Sequence, residues 1–71
     1  MTRDFYINLG KRIYALRKAT GITREKFAEN AGINDYYLGE IERGEKRASI
    51  EILLKICHVL DLEIHELLKL K

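Results

Sequence analysis

The side chains with the clearest chemical potential in this sequence are basic, and they lie in two clusters on either side of an acidic segment. Residues 1–26 hold seven basic and two acidic side chains, and residues 43–47 hold three basic and one acidic. Residues 27–42 hold four acidic side chains and no basic one. Clustered lysine and arginine side chains attract phosphate groups. The same charges are also compatible with a solvated helical surface, so charge alone leaves both alternatives open.

No residue pattern in the sequence supports a catalytic site or a metal site to the same degree. Cys57 and His58 are adjacent, and His65 lies seven residues further on. Neighbouring residues on a helix point about 100° apart, so Cys57 and His58 cannot easily share a metal ion. Cys57 is instead expected in the core. No Ser/His/Asp set, glycine-rich phosphate loop or acidic pair has catalytic spacing, so we expect neither an enzyme nor a metal or other cofactor, and no small-molecule ligand is evident.

Composition indicates a small globular domain. Apolar residues make up 46% of the 71 residues, which is too many for a disordered chain. No apolar run approaches about 20 residues, and no signal peptide is recognisable, so no membrane partner is expected. A single cysteine cannot form an internal disulfide, which favours a reduced, cytoplasmic location. We therefore expect one domain over residues 1–71, with a core that is marginal for its size.

The chain must position its basic clusters with helices, because helical spacing of apolar residues runs through it and strand alternation does not. Helix 1 carries an apolar stripe at Phe5, Leu9, Ile13 and Leu16. Thr23, Asn34 and Ser49 are favoured helix N-caps. Five helices are predicted. Helix 1 runs from about Asp4 to Lys18, helix 2 begins after Thr23 and ends near Asn30, and helix 3 begins after Asn34 and ends at about Arg43. Helix 4 begins after Ser49, and helix 5 runs from about Ile64 to Leu70.

Helices 2 and 3 form the most informative part of the chain, Arg24 to Arg43. Phe27, Ala28 and Ala31 mark a buried face, Gly32 marks a tight turn, and Ile33, Leu38 and Ile41 mark the buried face of the next helix. A helix held out from a domain in this way can enter the major groove of DNA.

These residues resemble the Cro/repressor-type helix-turn-helix regulators of bacteria and phages, often called the XRE family. The resemblance covers about residues 9–68 and rests on Gly21 to Ala28, Ala31 to Ile33, Ile41 to Gly44, and the helices from Leu53 to Leu67. It implies an all-α, compact five-helix lambda-repressor-like domain that binds double-stranded DNA. It also implies a bacterial or phage-encoded cytoplasmic protein that associates with the nucleoid when bound.

The resemblance also implies which residues contact DNA. Base contacts would fall to Asp35, Tyr36, Gly39 and Glu40. Phosphate contacts would fall to Thr23, Arg24, Tyr37, Arg43, Lys46 and Arg47. The chain departs from the usual pattern because the body of helix 3 has no Arg, Lys, Gln or outward Asn to pair with guanine or adenine. We therefore expect sparse contacts to base edges, with DNA shape and the basic loop supplying much of the specificity. Alternatively, Glu40 pairs with a nearby base such as Arg43.

Two further sets of residues have structural assignments. Arg17 and Glu42 match positions that form a buried ion pair between helix 1 and the end of helix 3 in relatives. The C-terminal helices are expected to form a homodimer surface as well, because they carry more apolar residues than a short helix can bury. This set is Leu60, Leu62, Ile64, Leu68 and Leu70. The alternative is that Leu62 and Leu67 complete the monomer core and the others are scattered on the surface.

The leading functional hypothesis is a homodimeric transcriptional regulator on a short palindromic operator. Within the family, a restriction–modification controller, a phage Cro-like repressor and an antitoxin all remain open. The Tyr36-Tyr37-Leu38 and Ile41-Glu42-Arg43 sequences slightly favour a controller. The alternative from another class is a protein-interaction module, antitoxin-like or anti-repressor-like, with weak or no specific DNA binding. The acidic helix 3 favours this alternative, and the basic residues that face phosphates in relatives oppose it.

Overall fold

The computed structural model describes residues 2–70, and these residues form five α-helices and no strand. Met1 and Lys71, the ends of the domain expected from the sequence, lie outside the described residues. The helices are α1 (Thr2–Thr20), α2 (Arg24–Ala31), α3 (Asp35–Glu42), α4 (Ile50–Leu60) and α5 (Ile64–Leu67). The all-α prediction is therefore confirmed. The helix limits differ mainly at α1, which extends two residues further at each end, and at α5, which ends three residues earlier.

Three of the helices begin at the N-caps expected from the sequence. The side-chain oxygens of Thr23, Asn34 and Ser49 each accept a hydrogen bond from the backbone N–H three residues later. The turn after α2 is made by Gly32, whose φ of 73° lies in the left-handed region that glycine adopts without strain. These local signals fix the length of α2 and α3 and therefore the shape of the turn between them.

The core lies where the first four helices meet, and α5 closes it with Leu67. Its largest fully buried side chains are Phe27, Leu9, Ile13, Leu38, Ile41, Ile56 and Leu67. The stripe expected on α1 is buried only in its middle, because Phe5 is 39% exposed and Leu16 is half-buried. Phe5 instead packs edge-on against the Tyr6 ring, with 5.1 Å between centroids.

The crossing of α1 over the end of α3 depends on a glycine in the middle of α1. A Cβ at Gly10 would lie 2.7 Å from the carbonyl oxygen of Glu42, closer than real Cβ contacts allow. Glycine therefore lets the two backbones approach closely, and this approach places Arg17 on α1 beside the Glu42 side chain.

A second long-range contact joins α1 to the C-terminal helix. The Arg12 guanidinium donates from Nε to the Leu67 carbonyl at 2.9 Å and from Nη2 to the Glu66 carbonyl at 2.8 Å. A cation near the end of a helix is favourable, since carbonyl groups there lack helical partners. Among residues 2–70, no helix is long and apolar enough to cross a membrane.

Candidate nucleic-acid interface

Helices α2 and α3 form a helix-turn-helix unit whose inner side is fully packed. Phe27 and Ala28 on α2 and Leu38 on α3 are each at most 1% exposed. The backbone N–H of Ile33 donates to the Ala28 carbonyl at 3.0 Å, which closes the turn after α2. The unit therefore holds α3 in one orientation and leaves its opposite side on the protein surface.

The outer side of α3 presents the residues that the sequence analysis assigned to base contacts, with one difference. Tyr36 is 70% exposed, and Asp35 and Glu40 are half-buried. Gly39 is buried rather than open, because the Arg24 and Arg43 guanidinium groups lie over it. In the unbound chain, two arginine side chains therefore cover Gly39, one of the residues that the resemblance assigns to base contacts.

Arg24 reaches across the turn to the first residue of α3. Its Nε donates to Oδ1 of Asp35 at 2.7 Å, and the two side chains are 35% and 38% exposed. The hydrogen bond to Asp35 raises the pKa of the Arg24 guanidinium. Sequence reasoning missed this pair, although both residues occupy the first position of their helices. The pair neutralises the Asp35 carboxylate, one of the two acidic groups on the outer side of α3 that would repel phosphates.

Arg43 is held in a similar way by the loop that follows α3. Its Nε donates to Oε2 of Glu45 at 3.0 Å and its Nη2 donates to Oε1 at 3.2 Å. This hydrogen bonding lowers the pKa of the Glu45 carboxyl group and raises that of Arg43. The alternative that Arg43 pairs with Glu40 is wrong, and no ion pair between residues 2 and 70 involves Glu40.

The basic loop after Arg43 is fastened to α3 by Tyr37. The Tyr37 hydroxyl donates to the Arg47 carbonyl at 3.0 Å, so it is engaged with the loop in the unbound chain. The Arg47 guanidinium lies 5.5 Å from the centre of the Tyr6 ring, a distance typical of a cation–π contact. Lys46 and Thr23 are exposed, and the Thr23 hydroxyl also caps α2.

Arg17 and Glu42 form the ion pair that the family resemblance implied. Arg17 donates from Nε to Oε2 of Glu42 at 2.7 Å and from Nη2 to Oε1 at 3.1 Å. The two side chains are 8% and 5% exposed. The hydrogen bond to Glu42 raises the pKa of Arg17, against the effect of burial. The pair joins α1 to α3 and cannot reach a ligand.

The first basic cluster of the sequence is therefore divided by the fold. Arg12 donates hydrogen bonds to the end of α5, and Arg17 pairs with Glu42 at the end of α3. Arg24 instead lies beside α3 with Arg43 of the second cluster. The cationic surface next to the recognition helix is consequently smaller than the sequence indicated. It consists of Arg24, Arg43, Lys46 and Arg47.

The apolar residues assigned to the dimer surface are less exposed than expected. All five are half-buried, and Leu60, Ile64, Leu68 and Leu70 pack against the core. The most exposed aliphatic side chains lie instead on α4, where Ile50 is 62% and Leu54 is 50% exposed. Together with Ala31 and His58 they line a shallow groove. Sequence reasoning missed this face.

Cys57 is buried in the core, as expected from the sequence, and its burial raises the pKa of the thiol. Within the described part of the chain, no group of three or more His, Cys, Asp or Glu side chains is arranged to hold a metal ion.

Comparison with known proteins agrees with this geometry. A helix-turn-helix family model matches residues 13–67. The chain is 45% identical over 58 residues to the uncharacterised HTH-type transcriptional regulator YazB of Bacillus subtilis, covering 82% of this chain and 84% of YazB. It is 41% identical over 61 residues to the HTH-type transcriptional regulator SinR of Bacillus subtilis, covering 84% of this chain but 55% of SinR.

Solved structures give the same result. The restriction–modification controller protein C.AhdI from Aeromonas hydrophila superposes with a TM-score of 0.84 at 35% identity, covering 87% of this chain and 94% of C.AhdI. The clp gene regulator ClgR from Corynebacterium glutamicum superposes with a TM-score of 0.83 at 33% identity, covering 90% of this chain and 83% of that one.

Proposed function

Since this chain belongs to the helix-turn-helix family of transcriptional regulators, we propose that it binds a short palindromic operator in double-stranded DNA as a homodimer. The observation that carries the proposal is the surface around α3. Tyr36 is exposed and Glu40 is half-buried on α3, and the Arg24 and Arg43 side chains lie over Gly39 of the same helix. Tyr37 joins α3 to the loop that carries Lys46 and Arg47. A helix bordered by cations suits a groove bordered by phosphates.

In this proposal α3 lies in the major groove and the surrounding residues hold it there. Asp35, Tyr36, Gly39 and Glu40 face the base edges. Thr23, Arg24, Tyr37, Arg43, Lys46 and Arg47 face the phosphates. Tyr37 also fixes the basic loop against α3 through its hydrogen bond to the Arg47 carbonyl. The neutralisation of Asp35 by Arg24 removes part of the charge that favoured a protein-interaction module without DNA binding.

A salt titration tests the DNA-binding proposal. Affinity for mixed-sequence duplex DNA is expected to fall steeply and linearly on a logarithmic scale as salt rises, with each phosphate contact adding about 0.9 to the slope. Lys46→Ala is expected to lower the slope by about one contact, whereas Lys55→Ala on α4, outside the residues proposed to face DNA, is the matched control and leaves it unchanged. No binding at about 50 mM salt, where phosphate contacts are strong, would refute the proposal in favour of a protein-interaction module.

Selection of bound sites from a random DNA pool tests the operator. Two-fold symmetric half-sites whose centres lie about 34 Å apart are expected, because each recognition helix enters the groove on one face of the duplex. Single, asymmetric sites would contradict the homodimer on a palindrome. Restriction and methylation genes beside this gene would identify it as a controller, and a toxin gene would identify it as an antitoxin.

The dimer surface that we propose consists of the C-terminal residues Leu60, Leu62, Ile64, Leu68 and Leu70. Leu62→Glu is the most informative change, since Leu62 is half-buried outside the core cluster. The variant is expected to sediment as a monomer at tens of micromolar, where the unchanged chain sediments as a dimer. Leu54→Glu is the matched control. If Leu54→Glu breaks the dimer and Leu62→Glu does not, the interface lies on α4.

A further inference from the structure

The glycine in the middle of the recognition helix has no backbone reason to be there. Gly39 is helical and is absent from the glycines with positive φ, so it needs none of the conformational freedom of glycine. Glycine inside a helix is less favourable than alanine. Unlike Gly10, which faces backbone carbonyl groups, Gly39 faces flexible side chains.

Those side chains are two arginines that meet above the helix. A Cβ at Gly39 would lie 3.0 Å from Nη1 of Arg24 and 3.1 Å from Nη1 of Arg43, and the next nearest atom is Cζ of Arg24 at 3.3 Å. Such distances are tighter than most Cβ contacts, so an alanine would push both guanidinium groups outward by a few tenths of an ångström. The glycine thus provides the space in which the two cations converge.

Each guanidinium group is hydrogen-bonded to a carboxylate through some of its nitrogens, which leaves its Nη1 available to another acceptor. Arg24 uses Nε on Asp35, and Arg43 uses Nε and Nη2 on Glu45. Among the hydrogen bonds of residues 2–70, neither Nη1 has an acceptor. The positive charges of Arg24 and Arg43 repel each other, and the carboxylates of Asp35 and Glu45 offset that repulsion. The arrangement therefore holds unsatisfied donors together over the centre of α3.

We propose that Arg24 and Arg43, which the proposed function places at phosphates, instead bind the major-groove edge of guanine above Gly39, Arg24 from the start of α2 and Arg43 from the C-cap of α3. This inference rests on the proposed function. Guanine offers two acceptors, O6 and N7, on the edge that arginine contacts most often in DNA complexes. The site lies over the middle of α3, where a helix in the groove faces base edges. Phosphates lie at the borders of the groove, beside the basic loop.

The arrangement explains the unusual composition of α3. Its body lacks the Arg, Lys or Gln that commonly pairs with a purine. The two arginines supply that chemistry from the start of α2 and the end of α3, and Gly39 admits them. Asp35 and Glu45 act as positioning residues for the two guanidinium groups.

Gly39→Ala tests the inference, because it leaves every charge in place. Sites selected from a random pool by the unchanged chain are expected to contain a guanine whose replacement by 7-deazaguanine, which lacks the N7 acceptor, weakens binding about tenfold or more. Gly39→Ala is expected to bind both duplexes with nearly equal affinity. Its thermal unfolding midpoint is expected to be unchanged or higher, since alanine favours the helix.

Asp35→Asn is the second variant, and Lys46→Ala is the control. Releasing Arg24 from its carboxylate is expected to weaken the guanine preference several-fold, whereas Lys46→Ala is expected to weaken binding to all sequences equally. A guanine preference that Gly39→Ala leaves intact would overturn the inference while the proposed function stands. The same holds if Gly39→Ala lowers affinity uniformly together with the salt slope, because the arginines then contact phosphates.

Two other results would also decide the matter. A clear fall in the unfolding midpoint of Gly39→Ala would show that the glycine serves packing, which overturns the inference. Absence of any salt-dependent binding by the unchanged chain would overturn the proposed function and this inference with it.

Discussion

Replacement of Glu42 by glutamine is the sharpest test of what holds the recognition helix in place. The change keeps the shape of the side chain and removes its charge, so the Arg17 guanidinium remains buried without a counter-ion. Both Nε and Nη2 of Arg17 donate to the carboxylate, and a glutamine amide offers one acceptor and one competing donor in its place. The remaining partner of Arg17 is the Ile22 carbonyl at 3.3 Å.

The expected magnitude follows from burial. The two side chains are 8% and 5% exposed, so the pair belongs to the buried class, in which removal of one partner costs about 3–5 kcal/mol. A folded chain of this size has a free energy of unfolding of about 4–10 kcal/mol. The single substitution therefore removes between about a third and all of the free energy of unfolding. With a urea dependence of about 1 kcal/mol per molar, the unfolding midpoint should fall by about 3–5 M.

Urea unfolding followed by far-ultraviolet circular dichroism measures this shift. Glu29→Gln is the matched control, because Glu29 pairs with Lys26 at 3.6 Å on the surface with 74% of its side chain exposed. The control is expected to change the free energy of unfolding by less than about 0.5 kcal/mol. The double variant Arg17→Met/Glu42→Leu is expected to recover most of the loss, since no buried charge is left unpaired. An unchanged midpoint for Glu42→Gln would refute the reasoning.

Three further changes probe the rest of the domain. Gly10→Ala is expected to lower the free energy of unfolding by about 1–3 kcal/mol, measured in urea, because its Cβ meets the backbone of α3; an unchanged value would contradict the close approach. Asn34→Ala should cost about 1 kcal/mol by the same assay, since the Tyr37 N–H loses its acceptor; Asn34→Ser should restore much of it. Burial raises the pKa of the Cys57 thiol, so stability should fall as pH rises through the ordinary thiol pKa, where only the unfolded chain ionises. Cys57→Ala should abolish this pH dependence in urea titrations at pH 7 to 10, and an unaltered dependence would exclude the thiol as its cause.

Helix limits were predictable from the sequence wherever a local signal sets them. Thr23, Asn34 and Ser49 each cap a helix through a hydrogen bond that spans three residues, so the neighbouring sequence contains the whole interaction. The turn at Gly32 is similar, because its left-handed φ is a local requirement. The helix-turn-helix unit could therefore be recognised before any tertiary contact was known.

Ion pairs at the candidate interface were not predictable in the same way. Arg24 and Asp35 are eleven residues apart, and their contact depends on how the turn orients α2 against α3. Arginine has a long, flexible side chain, so several carboxylates compete for it. Glu45 pairs with Arg43, whereas the alternative drawn from the sequence paired Arg43 with Glu40. Such a choice depends on distances of a few ångströms that no sequence pattern encodes.

The exposed face of α4 illustrates a different limit. Helical spacing places Leu53, Ile56 and Cys57 on the inner side of α4, and the structure buries all three. Ile50 and Leu54 lie outside that stripe, and spacing alone does not say whether another helix covers them. The packing of α1, α2 and α5 against α4 leaves both exposed.

The contact between Arg12 and the end of α5 bears on how the domain is made in the cell. The ribosome adds the two carbonyl groups that Arg12 binds 54 and 55 residues after Arg12 itself. A helix as short as α5 does not form alone in water, so the contact with Arg12 forms only once α5 can pack against the rest of the domain. The last buried core residue, Leu67, arrives with the same segment. A nascent chain therefore completes its core only after synthesis has passed α5, and until then its apolar faces are open to chaperones.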